Sequence, residues 1–293
     1  MTPATIAIPT ELNHNAVTLL ERSLMMTEQS DRRILAAIRC VDSITRRPIS
    51  APLQLSASGS RFIRNRSGDY ILLTAPGFES YSHTFRLETL AAAPPPTTLD
   101  ITLSDPSGYY LPRKFSLALP RPADPTADDA LFKTLTVPLY PSPLASKNPG
   151  WAILRTSIVN ATRQPLPWTL IEITPEVAQP GQSATILAQA DWRGEALVIV
   201  PGIPVSTWAT ATDADADADA PVTTQNINIQ LNLLFDASQI TPLPADTDFS
   251  NNPNRDYVPN PDTLLANRAA LLTSSHTLAV AAGSDRALTL TFT

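Results

Sequence analysis

The chain has 293 residues, 43% of them hydrophobic and 16% charged, with a net charge of −6 and a pI near 5.1. That length holds two domains with cores of their own, and the 21 lysines and arginines are scattered without the basic stripe that a nucleic-acid partner needs, so none is expected. A single cysteine, Cys40, excludes an internal disulfide framework, and no apolar run approaches the roughly 20 residues that cross a bilayer.

Residues 1–30 read as an N-terminal arm carrying one short helix. Asn15 is placed to cap it, and Val17, Leu20 and Leu24 share a face at helical spacing. Leu20 and Leu24 are therefore candidate partner contacts. Glu21 and Arg22 break the apolar patch, so the segment lacks the marks of a signal peptide and the expected location is the cytoplasm.

Residues 31–108 read as a first β module. A strand-like run reaches Val41 and meets Asp42, Ser43, Thr45 and Pro48. Asp and Ser bond their own backbone and proline cannot sit in a central ladder, so the chain turns there and returns through Leu53 and Leu55. Ser67-Gly68-Asp69 reads as a tight hairpin turn in which Gly68 supplies a positive φ, and residues 70–73 as a short strand stopped by Pro76-Gly77. Tyr81, His83, Phe85 and Leu87 alternate, as do Leu99, Ile101 and Leu103, which predicts two further half-buried strands. Cys40, inside the first strand, is expected to be a buried thiol.

Residues 109–293 read as a second, elaborated module. Its leading part holds strand patterns at Phe115, Leu117 and Leu119 and at Leu135, Val137 and Leu139, with a helical turn around residues 128–132; Pro138 confines the latter strand to a sheet edge or a bulge. The pattern of the first module then returns. Val41, Thr45, Arg46, Pro48, Ile49 and Leu53 match Ile158, Thr162, Arg163, Pro165, Leu166 and Leu170 at a constant spacing of 117 residues, and Gly68 and Pro76-Gly77 match Gly194 and Pro201-Gly202. All four tryptophans lie in this module. Trp192, directly before the Arg193-Gly194 turn, and Trp208 are candidate partner contacts, because tryptophan concentrates at interface centres. The acidic loop 211–221 does not fit an EF-hand: counted from Asp213, Ala218 and Thr224 stand where that loop needs Gly and Glu. Ile227, Ile229, Leu231, Leu233 and Phe235 give the cleanest strand. Asn260-Pro261 starts a helix spanning about 261–272, and Leu278, Val280, a Gly283-Ser284-Asp285 turn, Leu288, Leu290 and Phe292 predict a C-terminal hairpin.

Asp42, Thr45, Pro48 and Ile49, followed by Gly68 and Tyr70, resemble the two turn signatures of the carboxypeptidase regulatory-like, or transthyretin-like, β-sandwich. In that family a strand leads into an Asp-x-x-Thr-Gly-x-Pro-Leu-like turn, and a later Asp-Gly-x-Tyr-like turn opens a strand that ends near Pro-Gly. Arg46 and Arg163 stand where glycine is usual, Ser67 and Arg193 where aspartate is usual, and Ala196 where the aromatic is usual. The resemblance implies a mainly β chain of two Ig-like or transthyretin-like β-sandwich domains with short helices and extended arms. Such modules are generally non-catalytic, and a shared fold does not carry a shared task.

The three histidines, His14, His83 and His276, fall in the arm, a strand and a loop with no pair at metal spacing. No Gly-x-Ser-x-Gly elbow, Walker loop, dinucleotide fingerprint or His-Glu-x-x-His is present, so no catalytic residue, cofactor or metal is expected. Arms, proline-stiffened extensions and the polar loop at 240–260 are costly to order unless something binds them. The expected function is a non-catalytic structural or adaptor subunit of a large assembly, partnered by other protein subunits and copies of itself. A cap, baseplate or connector of a contractile injection, phage-tail-like particle is the context the layout suggests. The alternatives are a carbohydrate or cell-surface binding module, with Trp192 and Trp208 stacking on sugar rings, and an accessory domain of a separate enzyme.

Overall fold

The computed structural model describes residues 31–32, 34–84, 94–146, 148–176, 185–203, 205–207, 222–224, 226–244 and 246–293. The protein is mainly β. Its first half holds strands β1 (Asp31–Arg32), β2 (Ala36–Asp42), β3 (Gln54–Ser56), β4 (Arg61–Arg64) and β5 (Tyr70–Thr74), a short helix α1 (Glu79–Ser82), then β6 (His83–Thr84), β7 (Thr97–Ser104), β8 (Arg113–Leu119) and β9 (Leu135–Leu139). A four-stranded sheet runs β4-β5-β2-β9 and a three-stranded sheet runs β3-β7-β8. Period-two alternation sets which face each strand buries: in β8, Phe115, Leu117 and Leu119 point in while Lys114, Ser116 and Ala118 point out. One buried cluster takes Ile38, Cys40, Leu72 and Val137 from the first sheet and Ile101, Leu103, Phe115 and Leu117 from the second. Tyr70 ties the sheets together, its hydroxyl accepting from Leu53 N at 2.6 Å and donating to Leu53 O at 3.0 Å.

The second half holds β10 (Ala152–Val159), β11 (Leu170–Pro175), β12 (Ile186–Gln189), β13 (Glu195–Val200), the pair β14 (Val205–Thr207) and β15 (Val222–Thr224), and β16 (Asn226–Phe235). Helices α2 (Pro253–Asp256) and α3 (Pro261–Ala266) precede β17 (Leu272–Ala281) and β18 (Asp285–Thr291). Here the sheets run β13-β10-β18 and β12-β11-β16-β17, and Leu154, Ile158 and Val198 share a buried cluster with Ile171, Ile229, Leu231 and Val280.

The sequence repeat is a repeat of topology. β2 and β10 each lie between an antiparallel strand that follows the tight glycine turn (β5, β13) and a parallel strand that closes the copy (β9, β18). The series β3-β7-β8 recurs as β11-β16-β17. Among the described residues the copies differ in where the fourth strand joins, β4 on β5 but β12 on β11, and in their small two-stranded pairs, β1-β6 in the first and β14-β15 in the second.

Several expectations change. Residues 109–140 were expected to lead the second module, but β8 pairs with β7 and β9 with β2, so by strand pairing they complete the first copy; alternation shows that a strand exists and not which strand it meets. Pro138 does sit on an edge strand. The constant spacing of 117 holds from Thr45 and Thr162, inside the repeat turn, onward. Before it, Cys40 O accepts from Ile49 N and Ile158 O from Leu166 N, so Ile158 is the structural counterpart of Cys40 and the second turn is one residue shorter. Around 128–132 the chain makes successive i→i+3 turns, Ala130 N to Ala127 O and Lys133 N to Ala130 O, and no helix. The alternating run at Tyr81 is a helical turn followed by β6, paired to β1; Phe85 and Leu87 lie outside the described residues.

Asn260 caps α3 and Pro261 opens it as expected, but the helix stops at Ala266 because Leu272 is already paired with Phe235. The C-terminal hairpin has its turn, with Ser284 N donating to Ala281 O at 3.1 Å, yet β17 and β18 enter different sheets. His276 therefore lies in a strand rather than a loop. The arm at 1–30 and the acidic loop at 211–221 lie outside the described residues.

Candidate interaction surfaces

The two repeat turns are built alike. Asp42 Oδ1 accepts from Ile44 N, Thr45 N and Thr45 Oγ1 at 2.9, 2.6 and 3.0 Å; Asn160 Oδ1 accepts from Thr162 N, Thr162 Oγ1 and Gln164 N at 3.0, 2.8 and 2.8 Å. Each turn places an arginine in the left-handed region, Arg46 at φ 60° and Arg163 at φ 63°, the position where the resembled family carries glycine. Each also walls a cleft. The first, of about 400 Å³, lies between the copies and is lined by Asp42, Arg47, Tyr109, Tyr110 and Trp151. Tyr110 donates to Asp42 Oδ2 at 3.0 Å, and burial together with the Asp42 carboxylate holds its phenol well above the usual tyrosine range. The second, of about 460 Å³, is lined by Arg163, Pro165, Trp192, Arg193, Pro244 and Asn252.

Trp192 sits on the tight turn where the sequence placed it, but its ring is half-buried against the second core and Arg193 lies over it, 5.8 Å from the ring centroid. Arg193 is itself held by Asp191 and Glu195, each at 2.9 Å. The tryptophan thus forms a wall of the cleft. Trp151 is half-buried against Ile153, Leu197 and Ile199, together with Ile44 of the first copy. Trp168 is a core residue, 2% exposed, and its indole N–H donates to Asn254 O at 2.7 Å. Trp208, Leu20 and Leu24 lie outside the described residues.

The most developed polar feature was not singled out from sequence. Arg113, 2% exposed, donates to Pro138 O at 2.6 Å and to Asp262 Oδ2 at 2.5 Å and lies 5.8 Å from the Tyr140 ring centroid. Beside it Lys114 N donates to Pro259 O at 2.9 Å, and Leu111 and Tyr140 of the first copy bury against Leu170 and Leu234 of the second. These contacts form a seam between the copies. The available signal was parity: Arg113 shares the inward register of Phe115, Leu117 and Leu119.

Ionisable groups elsewhere serve turns and pairs. Arg39 grips Asp69 with two hydrogen bonds of 2.7 and 2.9 Å and holds its carboxyl below the usual range. Burial pushes the Cys40 thiol up to about 12, which keeps it protonated. Among the described residues no three His, Cys, Asp or Glu side chains gather as a metal site, and no helix is long and apolar enough to cross a membrane.

No family model and no curated protein matches the chain. Among solved structures the Bacillus anthracis TIE protein aligns over 95% of this chain at 10% identity with a TM-score of 0.22. The chain spans 44% of that protein's length, and a likeness of this size carries no argument about fold or function.

Proposed function

We propose that the protein is a non-catalytic structural or adaptor subunit of a larger protein assembly, built on two transthyretin-like β-sandwich modules. The observation that carries the reading is the seam: a buried arginine, a shared apolar cluster and a backbone hydrogen bond join the two copies into one spacer, with Arg113 committed to Asp262 and Pro138 rather than to an open pocket. A fixed spacer suits a part that must present two surfaces at a set separation. Within such an assembly its place is a cap, baseplate or connector of a contractile injection, phage-tail-like particle.

Affinity capture of the tagged full chain from its native cells tests both levels. Co-purification of other subunits in fixed ratio is expected, with sheath and tube proteins among them. A chain that elutes as a strict monomer with no co-purifying protein overturns the reading.

A further inference from the structure

Sheet edges expose unpaired backbone groups, and folded proteins blunt them with charge, proline, bulges or shortness. β4 carries Arg61 and Arg64 and a register shift between Arg61 and Phe62. β9 contains Pro138, and β3 and β12 are three and four residues long. On β8 the Lys114 N–H is taken by the Pro259 carbonyl. β13 opens on Glu195 and is bridged at Ala196 by Ala190, and β18 opens on Asp285 and Arg286. β17 is different. It has ten residues, none of them Asp, Glu, Lys, Arg or Pro, and pairs with β16 in unbroken register. Among the described residues no strand pairs with its other side.

The ladder fixes which groups face out. Asn228 O accepts from Glu176 N at 2.9 Å, so Asn228 turns its backbone toward β11. Its partner Ala279 therefore points its N–H and C=O away from β16, and by the period of two so do Thr273, Ser275 and Thr277. All four residues are exposed. The Ala279 carbonyl accepts from Arg286 Nη1 at 3.3 Å, which leaves it a second lone pair.

We propose that β17 pairs antiparallel with β17 of a second copy of this chain across a twofold axis, joining their four-stranded sheets edge to edge. The inference rests on the assembly reading above and deepens it by naming a surface and its partner. A second copy fits because the strand is self-complementary. An axis at His276 sets Ser275 opposite Thr277 and Thr273 opposite Ala279 of the second copy, so every outward group meets an outward group. The strand carries no Asp, Glu, Lys or Arg, and Arg286, which reaches its outer edge at Ala279, would lie opposite Thr273 of the second copy rather than opposite that copy's Arg286, so lysines, arginines and carboxylates do not meet like charges across the axis, where His276 faces His276. Doubling the four-stranded sheet stays within the roughly ten strands that twisted sheets tolerate. Some ten residues a side is fewer than the roughly 20–30 of a standard interface, which places the dimer among weak, reversible contacts.

Sedimentation equilibrium of the full chain tests this with two variants at exposed positions whose N–H groups do not serve β16. Wild type is expected to show a reversible monomer–dimer equilibrium. Ser275→Lys/Thr277→Lys, which sets lysine opposite lysine, should weaken it about tenfold; Ser275→Lys/Thr277→Glu, which sets lysine opposite glutamate, should return it to within about threefold of wild type. Urea midpoints close to wild type check that both variants are folded. A wild-type chain monomeric at about 100 μM, an open-ended polymer, or a dimer indifferent to both variants overturns the inference. A monomer that still captures other subunits overturns this inference alone, and a monomer that captures nothing overturns the assembly reading as well.

Discussion

Arg46→Gly and Arg163→Gly should each stabilise the protein. Both arginines hold φ near +60°, and both keep a turn hydrogen bond through the backbone, Arg46 N to Asp42 O and Arg163 N to Asn160 O at 2.9 Å, which glycine retains. Their side chains are exposed, so little packing is lost. A left-handed non-glycine residue costs roughly 1–2 kcal/mol, and glycine returns about 0.4–1 kcal/mol of that through the greater entropy of its unfolded chain. The net gain is about 0.5–1 kcal/mol per site. The sites share no partner, so the double variant should gain about 1–2 kcal/mol, read as a rise of about 2–4 °C in Tm per kcal/mol for a chain of this size. Arg47→Gly is the control: also exposed, but without a positive φ, it should lower Tm. If Arg46→Gly and Arg163→Gly lower Tm as Arg47→Gly does, the strain argument for both turns fails.

Removing the carboxylate of the seam, Asp262→Ala, leaves Arg113 2% exposed with only Pro138 O and the Tyr140 ring; because Asp262 is itself 62% exposed, the loss should be about 1–3 kcal/mol, measured as a drop in urea midpoint. Asp69 is held below its ordinary pKa first by its hydrogen bonds from Arg39. The stability from that pair is fully present above the unfolded aspartate value of about 3.9 and is lost as pH falls through the lower folded one, so the gap in midpoint between wild type and Asp69→Asn should be constant near neutrality and close below about pH 4. Cys40, 4% exposed with its thiol raised to about 12, should resist a thiol-specific reagent in the native protein and react within the unfolding transition.

What the sequence made legible was local. The repeat turns, Gly68 and Gly194 at φ 87° and 77°, the Asn260-Pro261 helix start and the alternation of β16 all depend on residues within a few positions of one another. Pairing is not local. β9 and β18 each return across the copy to lie parallel to its first strand, and nothing in Leu135, Val137 or Leu288, Leu290 encodes that partner. The C-terminal turn at Gly283 was readable, whereas the divergence of its two strands into separate sheets followed from the same return. Trp192 was readable as a turn residue, but its half-burial depends on a core assembled from distant strands. Arg113 was overlooked because a charged residue at a strand start usually marks the surface, and only its parity with Phe115 argued otherwise.

The divergence of the two copies has a physical logic that starts in their cores. In the first, Tyr70 fills space and straps the sheets through Leu53, two residues after the half-buried Ala51. In the second, Ala196 stands in the Tyr70 position and Trp168 in that of Ala51, both within one buried cluster. The bulk has moved from one sheet to the segment entering the other. That move places Trp168 at φ 59°, a strain of about 1–3 kcal/mol, which the burial of an indole, worth about 3–5 kcal/mol against alanine, outweighs. The indole brings an N–H into the core that must be satisfied, and the partner it finds is Asn254 O, in the proline-bearing stretch between β16 and α3. Asn254 in turn donates to Thr241 O at 3.1 Å and closes that stretch on itself. The extension that distinguishes the second copy is therefore held by Trp168, the side chain at the Ala51 position, whose indole N–H also fixes Asn254 in the wall of the cleft beside Trp192.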